Sequence, residues 1–134
     1  MLKTLSFLIF LGLWSGALSA QNNPQVTVIE FVEILDEHRA EAFYYYENNW
    51  KLLRVKAQAR GFIDSFQLVE IPFSPELPAH LMLITNFKNQ ENFEAGESNF
   101  KEVLAEHGEM RLLNEIKPAA FRKNLFHKIS IRNY

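Results

Sequence analysis

The chain contains no cysteine in its 134 residues, which excludes disulfides and thiolate metal sites and leaves packing alone to hold the fold. Charge of one sign is also lacking, with 14 basic residues against 16 acidic ones. Such a balance leaves no electrostatic footprint for nucleic acid or an anionic membrane surface. There is no glycine-rich phosphate loop, no nucleophile elbow and no Walker-type motif. The four histidines are scattered without metal-ligand spacing, so neither a metal nor a cofactor is expected. Glycine and proline are few, five of each, and neither occurs between Pro24 and Gly61. The longest apolar run, Leu5 to Trp14, is too short to span a bilayer, so no membrane anchor is expected.

What is present begins with a leader. MLKTLSFLIFLGLWSGALSA places one basic residue, Lys3, ahead of that apolar run and small residues after it, the layout of a secretory signal peptide. Residues 1–20 are therefore expected to be removed, with cleavage after Ala20 favoured, and the protein to be periplasmic or secreted. Residues 21–134 then make one domain of ordinary size, large enough for a real core. Without Lys3, 13 basic residues face 16 acidic ones, a formal charge of −3.

VTVIEFVEIL, Val26 to Leu35, sets the architecture. As a strand it directs Val26, Val28, Glu30, Val32 and Ile34 to one side and Thr27, Ile29, Phe31, Glu33 and Leu35 to the other. Both sides are apolar. Asp36 to Arg60 follows as a long helix, acidic at its start and basic at its end, with Asp36 as N-cap and Gly61 as stop. Its stripe Phe43, Tyr46, Trp50, Leu53 and Ala57 suits the sheet. Tyr44, Tyr45, Leu52, Val55 and Ala59 lie opposite, with Glu47, Lys51, Arg54 and Gln58 as a polar ridge.

Gly61 to Pro72 and His80 to Lys88 form an antiparallel hairpin across a proline-rich turn. A helix interrupted at Gly96, with Ser98 as candidate cap and Gly108 as stop, leads through a less regular segment to a last strand within Ala119 to Ile131. The order predicts an α+β, ferredoxin-like βαββαβ domain: a four-stranded antiparallel sheet with two helices on one face. The third strand also offers apolar residues to both sides, Leu81, Leu83 and Phe87 on one, Met82 and Ile84 on the other. A second copy of the sheet is the simplest cover for the bare face, so a homodimer is expected.

The segment ARGFIDSFQLVEI…HLMLITNFKNQENFEAGESNF resembles the dimeric α/β-barrel superfamily, in particular antibiotic-biosynthesis-monooxygenase-like domains and their NIPSNAP-like relatives. The likeness rests on Gly61 and Phe62 opening the second strand, Phe87 ending the third, and Phe93 and Phe100 near the second helix start. It implies that two sheets pair into a dimeric α/β barrel and that a small molecule binds between sheet and helices or within the barrel. The chain departs from the enzymes of that superfamily in having Phe87 where many carry tryptophan and Gly96 where many carry histidine. The matching helix offers Phe100, Val103 and Leu104 where haem-degrading members need a ligating histidine.

Candidate chemistry is concentrated in a few side chains. Glu30 sits between Val28 and Val32, either as a cavity carboxylate able to act as a general base or as a glutamate reaching solvent or a basic partner. His127 shares the register of Leu125 and Ile129 and is either a second cavity group or a hydrogen-bonded core histidine. Trp50, His80, Asn86 and Phe87 are candidate pocket residues. His107 suits a helix C-terminus. Three readings follow: an exported homodimer binding a small apolar or aromatic molecule, a cofactor-independent monooxygenase or isomerase acting on a quinol-like substrate, or a non-catalytic structural or interaction protein.

Overall fold

The computed structural model describes residues 23–35 and 37–131; the expected signal segment, and Asp36 with its capping role, lie outside them. Its elements are β1 (Val26–Ile34), α1 (Arg39–Tyr45), a π-helical turn (Tyr46–Trp50), α2 (Lys51–Ala59), β2 (Ser65–Glu70), β3 (Leu81–Phe87), α3 (Gln90–Glu94), α4 (Gly96–His107), α5 (Pro118–Phe121) and β4 (Arg122–Ile131). The strands form one antiparallel sheet in the order β2-β3-β1-β4. This is the ferredoxin-like α+β arrangement that the sequence predicts. None of the described helices is long and apolar enough to cross a membrane.

Register sorts the apolar side chains of the sheet into two sets. Glu30 pairs with Leu83 and with His127, Val32 with Leu81, and Val28 with Thr85. Antiparallel partners share a face, so the even-numbered residues of β1 lie with Leu81, Leu83, Thr85 and Phe87. The helices cover this side: Val26, Val32, Leu81 and Leu83 are buried, as are Tyr46, Trp50, Ala57, Val103 and Phe121.

The opposite face carries Ile29, Phe31, Val69, Met82, Ile84 and Phe126, and the described helices leave it bare. Phe31 and Phe126 stack there at 4.7 Å. Polar groups lie on its edge strands, where Gln67 pairs with Ile84 and Lys128 with Ile29, and at its two ends. At one, Thr27 Oγ1 donates to Asn86 Oδ1 at 2.6 Å and Asn86 Nδ2 donates to Ser65 Oγ at 2.9 Å. At the other, Glu33 faces Lys123 across the strands. A bulge at Leu125 separates the Phe31–Phe126 pair from the Val32–Asn124 pair and keeps both registers in phase with the sheet.

The long helix follows its predicted stripe from Phe43 to Ala57. Tyr46, Trp50 and Ala57 are buried, and Phe43 and Leu53 pack against the core. Between Tyr46 and Trp50 the helix widens into a π turn. Arg54, predicted on the polar ridge, follows Trp50 by four residues and lies at the edge of the stripe, with only 16% of its side chain exposed. The adjacent asparagines fit this local geometry, since Asn48 Nδ2 donates to the Tyr44 carbonyl and Asn49 Nδ2 to the Tyr45 carbonyl, each four residues back. Tyr44 and Val55 stay exposed, whereas Tyr45 packs on the core beneath Arg122.

Boundaries elsewhere show what the pattern missed. Gly61, with φ of 73°, ends α2 as expected: its N–H donates to the Gln58 carbonyl, and that of Phe62 to the Ala57 carbonyl. Ser98, by contrast, lies inside α4, which begins at Gly96 without a side-chain cap. Asn89 caps α3 instead, its Oδ1 accepting from the Asn92 N–H. The last strand starts only at Arg122, because Pro118 opens the short helix α5.

Asn49 fastens the chain after α4 to the π turn. It is 4% exposed, accepts from the Arg111 N–H at 2.8 Å, donates to the Arg111 carbonyl at 2.7 Å, and meets His107 Nε2 at 3.2 Å. Replacing Asn49 by leucine strands both Arg111 backbone groups and is expected to cost about 2–3 kcal/mol in urea unfolding. Burial, then Arg111 and Lys56, hold His107 below the ordinary imidazole value of 6.5. The stability tied to this depressed group is therefore complete above 6.5 and is lost as pH falls through the lower folded value. His107→Gln is expected to flatten that section of a pH–stability curve.

Candidate ligand-binding site

At the centre of β1 the helix-facing side of the sheet holds a carboxylate where its neighbours are valines. Glu30 lies in the floor of a cavity of about 440 Å³ between sheet and helices. Val28, Thr85 and Phe87 complete the floor, and Phe93 and Phe100 wall it from α3 and α4. Glu94 and Glu97 line its solvent side, both exposed. Phe87 meets Phe93 edge-on at 5.5 Å between ring centroids. Gly96 permits this closeness, since a Cβ there would stand 3.2 Å from Phe87 Cε1.

Arg54 reaches into the same space from α2. Its guanidinium lies over the Trp50 ring at 4.4 Å and the Phe100 ring at 4.6 Å, and 4.0 Å from the Glu30 carboxylate. Only 16% of the Arg54 side chain is exposed, against 39% for Glu30. Arg54 Nε is buried without a hydrogen-bond partner among the described residues, and so is Trp50 Nε1. Burial pushes the Arg54 pKa down to about 10, with Glu30 and Tyr45 opposing the shift. It stays cationic at neutral pH, so the cavity holds a fixed positive charge between two π faces.

A second arginine stands nearby on the same face. Arg122 donates to the buried Tyr46 hydroxyl at 3.3 Å and stacks over Tyr45. Burial raises the Tyr46 pKa, and the bond from Arg122 partly offsets it. For Arg122 burial works against the charge, but Tyr46, Tyr45 and Glu30 outweigh it and raise the pKa. Aromatic walls with one fixed ion pair suit a flat apolar ligand bearing a polar group. Among the described residues no group of three or more histidine, aspartate or glutamate side chains is placed to hold a metal ion.

The structure brings two of the sequence-predicted residues together: Glu30 and Phe87 both line the cavity. His127 lies across from Glu30 on β4 and is exposed, not a core histidine. Trp50 is buried behind Arg54 and backs the cavity without lining it. His80 is elsewhere, its Nδ1 accepting from the Ile34 N–H at 2.9 Å and its ring stacked on Phe73. Asn86 belongs to the bare face of the sheet. Arg54 was not singled out from the sequence. Its spacing of four residues from Trp50 on the predicted stripe is the signal that could have found it.

No known protein family matches the chain, and no curated protein does. Among solved structures it is similar to HapK from Hahella chejuensis, at 14% identity and TM-score 0.47, over 78% of this chain and 90% of that one. It is also similar to a provisionally assigned antibiotic biosynthesis monooxygenase from Chloroflexus aurantiacus J-10-fl, at 11% identity and TM-score 0.42, over 81% and 92%. A third is a dimeric protein of unknown function and ferredoxin-like fold from Bacteroides fragilis NCTC 9343, at 13% identity and TM-score 0.45, over 82% and 96%. At such identities the likeness is one of fold.

Proposed function

We propose that the protein binds a small apolar or aromatic molecule in the cavity above Glu30, and that it does so as an exported homodimer. The observation that carries the binding reading is Arg54: a largely desolvated guanidinium between the Trp50 and Phe100 rings, its Nε without a partner among the described residues, beside a cavity walled by Phe87 and Phe93. Packing alone gives no reason to keep a charge there, since a leucine or methionine would fill the space without the cost of dehydration. A ligand ring on the phenyls, with a polar atom toward Arg54 or Glu30, supplies one.

The homodimer reading rests on the bare face, whose apolar centre and polar ends have the layout of an interface. Two such faces meeting would close a dimeric α/β barrel. Export follows from the leader at residues 1–20. Turnover is the second reading, favoured by Glu30 reaching the cavity with His127 on the neighbouring strand. There Glu30 takes a proton from an activated phenol or carbon acid, as a cofactor-independent monooxygenase or isomerase would require.

Trp50 is the sole tryptophan once Trp14 has left with the leader, so its fluorescence reports on the site. Titration with 2-naphthylmethanol is expected to give a saturable change, weakened about tenfold by Phe100→Ala, a loss of roughly 1.4 kcal/mol. An absence of saturable binding, or equal affinity in the variant, contradicts the binding reading. Oxygen uptake with a quinol that disappears in Glu30→Gln, with binding retained, selects turnover over binding alone.

A further inference from the structure

The cavity above Glu30 does not end at Phe100. Two further hollows continue it along the seam between α2 and α4. One, of about 340 Å³, shares Arg54, Glu97 and Phe100 with the cavity. The next, of about 290 Å³, shares Leu53 and Leu104 with the one before it. Helical spacing explains the line, since Tyr45, Asn49 and Leu53 recur every four residues on one side and Phe100, Leu104 and His107 recur every three or four on the other. From Glu97 to His107 the seam runs roughly 15 Å at 1.5 Å per residue.

The chemistry of this trough is uneven. Charge is concentrated at the first end, in Glu30, Arg54, Glu94 and Glu97. Beyond Lys101 the lining is dominated by Leu53, Leu104, Tyr45 and Met110. The Asn49 amide there is already engaged with Arg111, Tyr45 and His107. Leu104 and Met110 are 53% and 52% exposed, apolar side chains that the fold itself does not cover. A peptide laid along this line would find few partners for its backbone N–H and C=O groups, which an apolar tail does not need.

We propose that the ligand is an elongated amphiphile, with a ring or polar head over Glu30 and Arg54 and an apolar tail along the α2–α4 seam toward Met110. The inference rests on the cavity being a binding site and specifies what fits it. A series of 4-alkylbenzyl alcohols with alkyl tails of about two to eight carbons, followed by Trp50 fluorescence and calorimetry, tests both levels. Affinity is expected to rise about two- to fourfold per methylene until the tail fills the seam.

Leu104→Lys, an exposed position outside the first cavity, is expected to abolish that rise while leaving 4-ethylbenzyl alcohol within about twofold of its original affinity. Met110→Lys is expected to weaken only the longest members. Affinity that does not change with tail length, or a rise that survives both substitutions, overturns the elongated site and leaves the aromatic cavity standing. Failure of 4-ethylbenzyl alcohol itself to bind overturns the cavity reading beneath it.

Discussion

The constraint on which the structure depends is that β1, near the centre of the sheet, is apolar on both sides. A strand of this kind cannot be satisfied by one layer of helices. On one side Val26, Val32 and Ile34 are buried beneath the helices. On the other, Ile29 and Phe31 join Met82, Ile84, Val69 and Phe126 in a surface that the described helices leave open. Burying one such side chain is worth on the order of 1.5–3 kcal/mol, a large fraction of a net folding stability of about 5–15 kcal/mol. With no cysteine to form a disulfide, the domain has every reason to use that surface.

The candidate site follows from the same constraint on the helix side. Glu30 lies in an otherwise apolar row, and a carboxylate there needs either water or a cation. It has both, with 39% of its side chain exposed and Arg54 at 4.0 Å. Arg54 is available because it follows Trp50 by one helical turn at the edge of the buried stripe, and the π turn before it is matched by Asn48 and Asn49 donating to carbonyls four residues back. Asn49 then holds Arg111, which fixes the chain after α4. The π turn thus fastens the far end of the seam.

Much of the fold was legible because burial follows simple periods. Alternation along β1 and β3, and the Tyr46–Trp50–Ala57 stripe, predicted which side chains would meet, and Gly61 and Gly108 marked helix ends by their need for positive φ. Glu30 was legible for the opposite reason, as a charge that breaks a period. Arg54 was not, because an arginine at the edge of an apolar stripe resembles any solvated arginine in hydropathy. His127 was expected to be either a cavity group or buried, but β4 is an edge strand and the described helices leave its His127 and Ile129 exposed. The turn onto α5 was lost because Pro118 serves equally well as a strand boundary or a helix start.

The central claim is that the bare sheet face is covered by a second copy of the chain. Because the native sequence has no thiol, Met82→Cys places a single reactive group in the middle of that face. The rate of its labelling by a small maleimide, measured across protein concentration, tests the claim directly. Slow labelling at high concentration that accelerates on dilution is the predicted result. Labelling that is fast at every concentration, with the thiol free in a stable folded monomer, would contradict it.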